Sequence, residues 1–273
     1  MLDRLERKLA EAQQWVDSVF SLCDWPAAIA LAIFRTRPAE GTGMFARVWR
    51  RVVPYLWVRP ATLHGLSVRM DPSEIDQLII FEEVFIDGVY DLDQLSFAPD
   101  LILDCGAFEG YFSLLAAVRF PAAPIIAFEP NPRNLEGLQA NLSRKGLSIE
   151  VRAEAVSTSD GTAPFSGGGC GGRLGGTEGS QVTVVDLRRV IATLNPQRLL
   201  LKLDVEGEEL TLLPALLPML PRCCAMFFEW HHDRGSFDRA VASLRGNGFE
   251  TGVIRDNRAD QFTTYIDAFA QRC

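Results

Sequence analysis

From residue 101 onward, short apolar runs alternate with longer stretches in which an apolar residue recurs every third or fourth position. The short runs predict buried strands, and the longer stretches predict helices that each bury one face. Such alternation is typical of an α/β fold with a mostly parallel sheet. The predicted strands are 101–105, 124–129, 149–156, 182–185, 199–204, 223–229, 250–254 and 262–267. The predicted helices are 110–119, 132–145, 187–193, 207–218 and 236–246.

The first hundred residues follow a different pattern. Apolar residues recur at helical spacing over 2–19, and a short strand at 66–70 and a helix at about 74–85 follow. We therefore predict an N-terminal helical extension at 1–60 and a main domain at 61–273.

Charge separates these two parts. Residues 1–60 carry 9 Lys/Arg against 6 Asp/Glu, and the remainder carries 18 against 29. This argues against nucleic acid as the main partner, because binding phosphates needs a basic surface. The apolar run at 25–34 is too short to span a bilayer. Arginines interleaved with aromatic residues over 35–59 predict packing on the main domain or on a second copy in a homo-oligomer, with peripheral membrane contact as the alternative.

The cysteines give no sign of a disulfide framework or a zinc site. All six are scattered, without a C-x-x-C pair, and the adjacent Cys223 and Cys224 lie in an apolar strand pattern that predicts core thiols. Because the sequence also lacks a secretory signal, we expect a reducing compartment, the cytoplasm.

The strand at 101–105 runs into a glycine-rich turn. Gly106 and Gly110 allow positive φ angles and the close approach of a ligand. Asp104 stands where a dinucleotide-binding turn has its first glycine, and a carboxylate is a poor neighbour for a pyrophosphate. The turn suits a ligand with positive charge and no phosphate, such as S-adenosylmethionine with its sulfonium and ammonium groups.

Two further strands end in acids. Glu129 follows Asp104 by 25 residues, close to the spacing at which a nucleotide-binding unit places its ribose-binding acid. Asp204 and Glu206 close the strand at 199–204. Parallel strands present their carboxyl ends at one sheet edge, so we expect these acids to lie together there.

The acids that follow Asp204 have a second explanation. Glu206, Glu208 and Glu209 precede a predicted helix, whose dipole favours acids in its first turn. We assign Glu208 and Glu209 to that role and leave Glu206 open between the helix and the site.

In order and spacing, these segments resemble the FkbM-type methyltransferases. The resemblance rests on D-C-G-A-F-E-G-Y from Asp104, F-E-P-N-P-R-N-L from Phe128 and K-L-D-V-E-G-E-E from Lys202, and it extends over about 63–267. It implies dependence on S-adenosylmethionine and a Rossmann-like, mostly parallel seven-stranded sheet with helices on both faces. It also implies O-methylation of a small-molecule or glycan hydroxyl group, with a peptide side chain as the alternative. The family usually has Asn where this chain has Glu109, which we expect to point outward.

The motifs and the resemblance together predict a set of cofactor-binding residues. These are Asp104, Gly106, Ala107, Phe108, Gly110, Tyr111, Glu129, Pro130, Asn134, Ala155 and Asp204. We expect Asn141, two turns after Asn134 on the same helix face, to pack or cap instead.

Methyl transfer to a hydroxyl group needs aligned reactants and benefits from a base. His231 follows the strand at 223–229 and carries an imidazole, which ordinarily titrates near neutrality. We predict it as the general base, with Asp204 as the alternative and Glu206 as a third catalytic residue. The same three residues offer ligands for a divalent metal, which we do not expect to be required.

Two other functions compete with this one. A nicotinamide-dependent oxidoreductase is disfavoured because G-x-G-x-x-G and a Tyr-x-x-x-Lys pair are missing. A non-catalytic partner subunit is disfavoured because all three strand-end acids are present. The segment at 161–180 contains nine glycines and is predicted to be a mobile loop without a core, either a lid or a surface insertion.

Overall fold

The computed structural model describes residues 56–71, 74–143, 146–175, 179–256 and 265–273. The chain divides into two compact units, Met1–Gly88 and Val89–Cys273. The predicted N-terminal extension falls almost wholly outside the described residues, so its helices and its membrane or subunit contacts stay predictions. Within the described part of the chain, no helix combines the length and apolar character needed to cross a membrane.

The described part of the first unit contains a strand pair and a helix. Strand β1 (Leu56–Val58) pairs antiparallel with β2 (Val68–Met70). Helix α1 (Ile75–Phe81) continues as a π-helical turn at Glu82–Ile86. The predicted strand at 66–70 and the helix that follows it are thereby confirmed.

The second unit alternates strands and helices, as predicted, but the strand predicted at 262–267 is observed at Ile266–Arg272, and 262–264 lie outside the described residues. Its strands are β3 (Leu101–Cys105), β4 (Ile125–Phe128), β5 (Ile149–Arg152), β6 (Glu154–Ser157), β7 (Gly161–Ser166), β8 (Arg173–Leu174), β9 (Ser180–Asp186), β10 (Arg198–Leu203), β11 (Cys223–Trp230), β12 (Glu250–Asp256) and β13 (Ile266–Arg272). Its α-helices are α2 (Tyr111–Arg119), α3 (Pro132–Leu142), α4 (Leu187–Leu194), α5 (Glu209–Leu216) and α6 (Arg234–Gly246). Short 3₁₀ helices in the described chain cover Ala61–Leu63, Leu92–Gln94 and Leu217–Met219.

The main sheet has seven strands in the order β12-β13-β11-β10-β3-β4-β5. The five strands from β11 to β5 are parallel, and β13 and β12 complete the sheet with antiparallel pairings. One face packs against α2, whose Phe112 and Ala116 join an apolar cluster with Phe227. The other face packs against α4, α5 and α6. The predicted Rossmann-like, mostly parallel seven-stranded sheet is therefore confirmed.

A second sheet, in the order β6-β9-β7-β8, corrects two predictions. The single strand predicted at 149–156 is two strands, because the chain leaves the main sheet after Arg152 and β6 pairs with β9. The apolar and polar alternation continues through this change of sheet, so the sequence shows no break. The segment at 161–180 is not a coreless loop, because β7 pairs with β9 and buries Phe165 among Ala155, Val182 and Val184.

The absence of a disulfide was predicted wrongly, because Cys223 and Cys273 are disulfide-bonded. Strands β11 and β13 pair antiparallel with Cys224 opposite Arg272, which brings the two cysteines together across 50 residues of sequence. Spacing along the chain carries no sign of such a register. Cys224 is a buried free thiol, as predicted, but the cysteine pattern no longer supports the expectation of a reducing compartment.

Candidate active site

The glycine turn after β3 is packed tightly against the loop after β10. Gly106 adopts φ +80°, and a Cβ atom there would overlap the backbone oxygen of Asp204. Gly110 also has a positive φ, at the start of α2. The backbone amides of Gly106 and Ala107 both donate to the carbonyl of Phe128, at 3.0 and 2.9 Å. The turn thus joins the ends of β3, β4 and β10.

This packing makes Gly106→Ala a strongly destabilising substitution. We expect a loss of about 2–5 kcal/mol in the free energy of unfolding, from left-handed strain and overpacking together. Gly248→Ala is a matched control, since Gly248 has φ +82° but its Cβ would meet open space. We expect it to cost about 1–2 kcal/mol. Urea unfolding of both variants measures the difference, and equal losses would contradict the close packing at Gly106.

A buried charge network links Asp104 to Asp204 through Lys202. The Lys202 ammonium donates to the Gly106 carbonyl at 2.6 Å and to Asp204 Oδ2 at 3.2 Å, and it lies 3.5 Å from Asp104 Oδ1. Asp104 Oδ2 accepts from the Ser113 hydroxyl at 2.6 Å. Burial raises the pKa of Asp104, although Lys202 and Ser113 oppose that shift. Among the described residues, Asp104 Oδ1 has no hydrogen-bond donor.

The strand-end acid Glu129 holds the glycine turn to the start of α3. Its Oε2 accepts from the Phe108 amide and its Oε1 from the Asn131 amide, each at 2.8 Å. Burial raises the pKa of Glu129 to about 7, although these two bonds and one from the Asn134 side chain act in the opposite direction. A carboxylate has about four lone-pair positions, so Glu129 can still accept from a ligand.

Two asparagines on α3 tie neighbouring segments together. Asn134 Nδ2 donates to the Gly169 carbonyl of the glycine-rich segment at 3.0 Å. Asn141 Nδ2 donates to the Glu109 carbonyl at 2.9 Å, which confirms its packing role. The outward orientation predicted for Glu109 is wrong: its side chain is 6% exposed and fills the space left by the missing side chain of Gly137.

Of the remaining predicted cofactor residues, Tyr111 lies beside this turn, and Ala155 lies in the second sheet. Tyr111 is buried at the start of α2, with its ring edge-on to Phe108 at 6.0 Å between centroids. Pro130 follows the end of β4 by two residues. Ala155 lies on β6, where its side chain packs in the apolar cluster of the second sheet.

A histidine and four acids meet after β10 and β11. His231 Nδ1 lies 3.1 Å from Glu209 Oε1, and its Nε2 lies 3.6 Å from Glu206 Oε2 and 3.7 Å from Glu229 Oε2. Burial alone would lower the pKa of His231, but the bond to Glu209 and the charges of Glu209, Glu206 and Asp204 raise it to about 9. Burial raises the pKa of Glu206 to about 7, against the opposing charge of His231.

Glu209 has a larger role than the sequence predicted. It lies in the first turn of α5, as expected, but it is fully buried. Its carboxylate accepts from the amides of Val205 at 3.0 Å and Gly207 at 2.9 Å while it contacts His231. Glu209 therefore fixes both the loop after β10 and the orientation of the His231 ring. No sequence signal marks this pairing, because it depends on two strands lying side by side.

The three predicted catalytic residues are close enough to share a metal ion. Asp204, Glu206 and His231 each offer one ligand atom, and these atoms lie within 4.8 Å of one another. Clustered acids do not by themselves indicate a metal, since Glu209 in the same cluster accepts hydrogen bonds from backbone amides. A divalent metal therefore stays an untested alternative.

A narrow cleft lies at the same edge of the sheet. The rings of Tyr90 and Phe227 line it together with the side chains of Lys202, Glu229 and Asp267. These two rings meet edge-on, with their centroids 5.5 Å apart. The cleft thus combines aromatic surface with charged groups and shares Glu229 with the surroundings of His231.

Comparison with known proteins adds a family to this geometry. A family model described as the methyltransferase FkbM domain matches residues 104–251. The chain is 29% identical over 216 residues to the 31-O-demethyl-FK506 methyltransferase FkbM of Streptomyces tacrolimicus, covering 65% of this chain and 83% of that protein. It is 30% identical over 228 residues to the AMB antimetabolite synthetase AmbE of Pseudomonas aeruginosa, covering 65% of this chain but only 11% of AmbE. A solved methyltransferase FkbM from Methylobacillus flagellatus KT is 18% identical, with a TM-score of 0.47, over 67% of this chain and 46% of that one.

The family match contains every part of the site described above except Tyr90 and Asp267. It begins at Asp104, includes Glu129 and the segment from Lys202 to Glu209, and continues beyond His231. It covers more than half of the 273 residues. The predicted resemblance is confirmed: this chain belongs to the FkbM methyltransferase family.

Proposed function

We propose that this protein transfers a methyl group from S-adenosylmethionine to a hydroxyl oxygen of a small molecule or glycan. The observation that carries the proposal is the meeting of two groups of residues at one sheet edge. Asp104 and Glu129 border the glycine turn on one side. Glu206 and His231 lie beyond Asp204 on the other side, next to the cleft. Ligands bind at the carboxyl ends of the strands in folds of this kind.

The residues around the glycine turn fit the cofactor. Asp104 presents a buried oxygen that faces the Lys202 ammonium at 3.5 Å but accepts no hydrogen bond among the described residues, so it can accept one from a positively charged ligand group. Glu129 can still accept from a ribose hydroxyl. When bound, S-adenosylmethionine supplies an electrophilic methyl group on a sulfonium centre.

The residues around His231 fit the acceptor. A neutral alcohol is a weak nucleophile, and a base that removes its proton strengthens it. We assign that proton to Nε2 of His231, because Nδ1 faces Glu209. Glu209 then stabilises the positive charge that the imidazole gains. Asp204 is the alternative base.

Two observations support the proposed class of acceptor: the names of the relatives and the lining of the cleft. The name of the Streptomyces tacrolimicus protein places its reaction on an oxygen of FK506, and AmbE is named for an antimetabolite. Tyr90, which is half-buried, gives the cleft an aromatic ring that would cover an apolar or sugar ring of the acceptor. We therefore propose a natural product or a glycan as the acceptor.

Calorimetry and mass spectrometry test this proposal. We expect S-adenosylmethionine and S-adenosylhomocysteine to bind while nicotinamide cofactors do not. Extracts from cells with and without the gene should differ by one metabolite that is about 14 Da heavier when the protein is present. Binding without any methylated product would favour the non-catalytic partner subunit, and methylation at nitrogen or carbon would contradict the hydroxyl acceptor.

The affinity for S-adenosylmethionine should depend on pH through Glu129. Its pKa of about 7 means that the carboxylate is ionised above that pH and protonated below it. We expect affinity to weaken as pH falls below about 7 and to level off at about tenfold, the loss expected for a neutral side chain at this position. Glu129→Gln should bind about tenfold more weakly above pH 7, with little pH dependence.

Glu206→Gln is a matched control for this measurement. Glu206 shares a pKa of about 7, but its carboxylate lies beside His231. The variant should keep the pH dependence of cofactor affinity. If Glu206→Gln abolishes it and Glu129→Gln does not, Glu129 is not a cofactor ligand.

A further inference from the structure

Asn131 carries a buried hydrogen-bond donor that nothing in the described chain uses. The residue is 7% exposed and caps α3, where its Oδ1 accepts from the Arg133 amide at 3.1 Å. Its Nδ2 has no acceptor within the described ranges. Capping fixes which way the amide points, because only the oxygen can accept from Arg133. Burying an unsatisfied donor costs about 1–3 kcal/mol, so its position calls for an explanation.

The cap itself does not require an amide. Serine and aspartate cap helices as well as asparagine does, and neither places an NH₂ group at this point. The other amide on this part of the helix is already used, since Asn134 donates to Gly169. The Nδ2 group of Asn131 therefore has no role within the described fold, and a ligand that brings an acceptor would give it one.

Glu129, which lies next to Asn131, indicates which chemical group of the ligand binds here. The Asn131 backbone amide donates to Glu129 Oε1 at 2.8 Å, which places Asn131 directly beside this strand-end acid. An ionised carboxylate only accepts hydrogen bonds, whereas an amide NH₂ only donates them. A hydroxyl group does both. It can donate its hydrogen to Glu129 and accept at its oxygen from Asn131.

We propose that Asn131 Nδ2 donates to a ribose hydroxyl oxygen of S-adenosylmethionine, whose hydrogen is donated to Glu129. This inference rests on the proposed function. It adds a second ribose ligand, Asn131, whose oxygen also caps α3. Two residues would then bind the ribose: Glu129 as hydrogen-bond acceptor and Asn131 as donor.

The test compares Asn131→Ser with wild-type protein in binding to S-adenosylhomocysteine and its 2′-deoxy and 3′-deoxy analogues. Serine keeps a capping oxygen and removes the amide. We expect Kd for S-adenosylhomocysteine to rise about tenfold, as the loss of a hydrogen bond of about 1.4 kcal/mol implies. For one of the two deoxy analogues, wild type and Asn131→Ser should have the same Kd. That equality would identify the hydroxyl group that Asn131 binds.

Asn141→Ser is the matched control. It also removes a buried amide from α3, but one whose acceptor is the Glu109 carbonyl. Any change in its Kd should be the same for the hydroxylated ligand and both deoxy analogues. Thermal unfolding of each variant without ligand shows whether the fold is intact.

The outcomes separate the two proposals. If wild-type protein binds S-adenosylhomocysteine and Asn131→Ser binds it equally well, this inference fails and the proposed function stands. A loss for Asn131→Ser that is equal with all three ligands also overturns it, because the amide then acts on the fold. If wild-type protein does not bind S-adenosylhomocysteine at all, both proposals fail.

Discussion

Replacing His231 with alanine is expected to lower turnover by about 10²–10⁴-fold while leaving the affinity for S-adenosylmethionine nearly unchanged. The imidazole follows β11, whereas the residues proposed to bind the cofactor cluster at the ends of β3 and β4. Its Nδ1 is held by the buried Glu209, which leaves Nε2 directed toward Glu206 and Glu229. Removing the ring should therefore affect the chemical step and not cofactor binding.

The pH dependence of turnover gives this prediction a second readout. An ordinary imidazole would give a limb near neutrality, but the pKa of His231 is raised to about 9. A general base must be neutral, so turnover should rise with pH and level off above about 9. His231→Ala should lack this limb.

His232→Ala is the control for the pH profile. His232 Nε2 lies 2.7 Å from the Gly207 carbonyl, a contact that holds the loop. This variant should keep the limb near pH 9. If His231→Ala retains near-normal turnover and the same limb, the proton goes to Asp204 or positioning alone suffices.

The part of the site that the sequence predicted best is the part built from parallel strands. Buried parallel strands are continuous apolar runs, so their ends are visible, and their carboxyl ends must share one edge. This was enough to bring Asp104 and Asp204 together around the glycine turn, where Lys202 now joins them. The role of Asn131 as a helix cap was equally readable, because Pro132 follows it at the first helical position.

The contacts that the sequence could not predict join segments that are distant along the chain. They depend on how strands and helices are aligned with one another. The pairing of His231 with Glu209 spans 22 residues and exists only because the loop after β10 lies beside the end of β11. The Cys223–Cys273 disulfide needs the antiparallel register of β11 and β13. The burial of Glu109 needs a glycine at 137, which lies on α3, 28 residues later in the sequence. None of these leaves a periodic signal in the chain.

Lys202 is the largest omission from the predicted site. In the sequence it is only a charge that interrupts an apolar strand, and nothing shows which acids it faces. In the structure it lies opposite Asp104 in the register of β10 and β3, 5% exposed. Burial opposes its charge, but Asp204, Asp104 and Glu229 outweigh that effect and raise the pKa of the ammonium group. Lys202 therefore stays charged and holds two acids in place.

Replacing Lys202 with methionine should destabilise the protein by about 3–5 kcal/mol, because it leaves a fully buried carboxylate without its counter-ion. Leu200→Met is the matched control: Leu200 is buried two residues earlier on β10, and the change conserves volume. It should cost less than about 1.5 kcal/mol. Urea unfolding of both variants at pH 8 measures the difference.

The loss in the free energy of unfolding of Lys202→Met should shrink as pH falls. The direction of this change follows from the titration of Asp104. Burial already raises the pKa of this acid above its ordinary 3.8, and Lys202 is the main group that opposes the rise. Without Lys202 the pKa rises further, so folded Asp104 binds a proton at a pH where the unfolded chain does not. Stability from that proton is present at low pH and is lost as pH rises through the folded pKa.

Adding Asp104→Asn to Lys202→Met should therefore recover part of the loss at pH 8 and little in acid. If Lys202→Met loses the same free energy of unfolding in acid as at pH 8, or if the double variant recovers nothing at pH 8, Lys202 stabilises the fold by packing and not by pairing with Asp104.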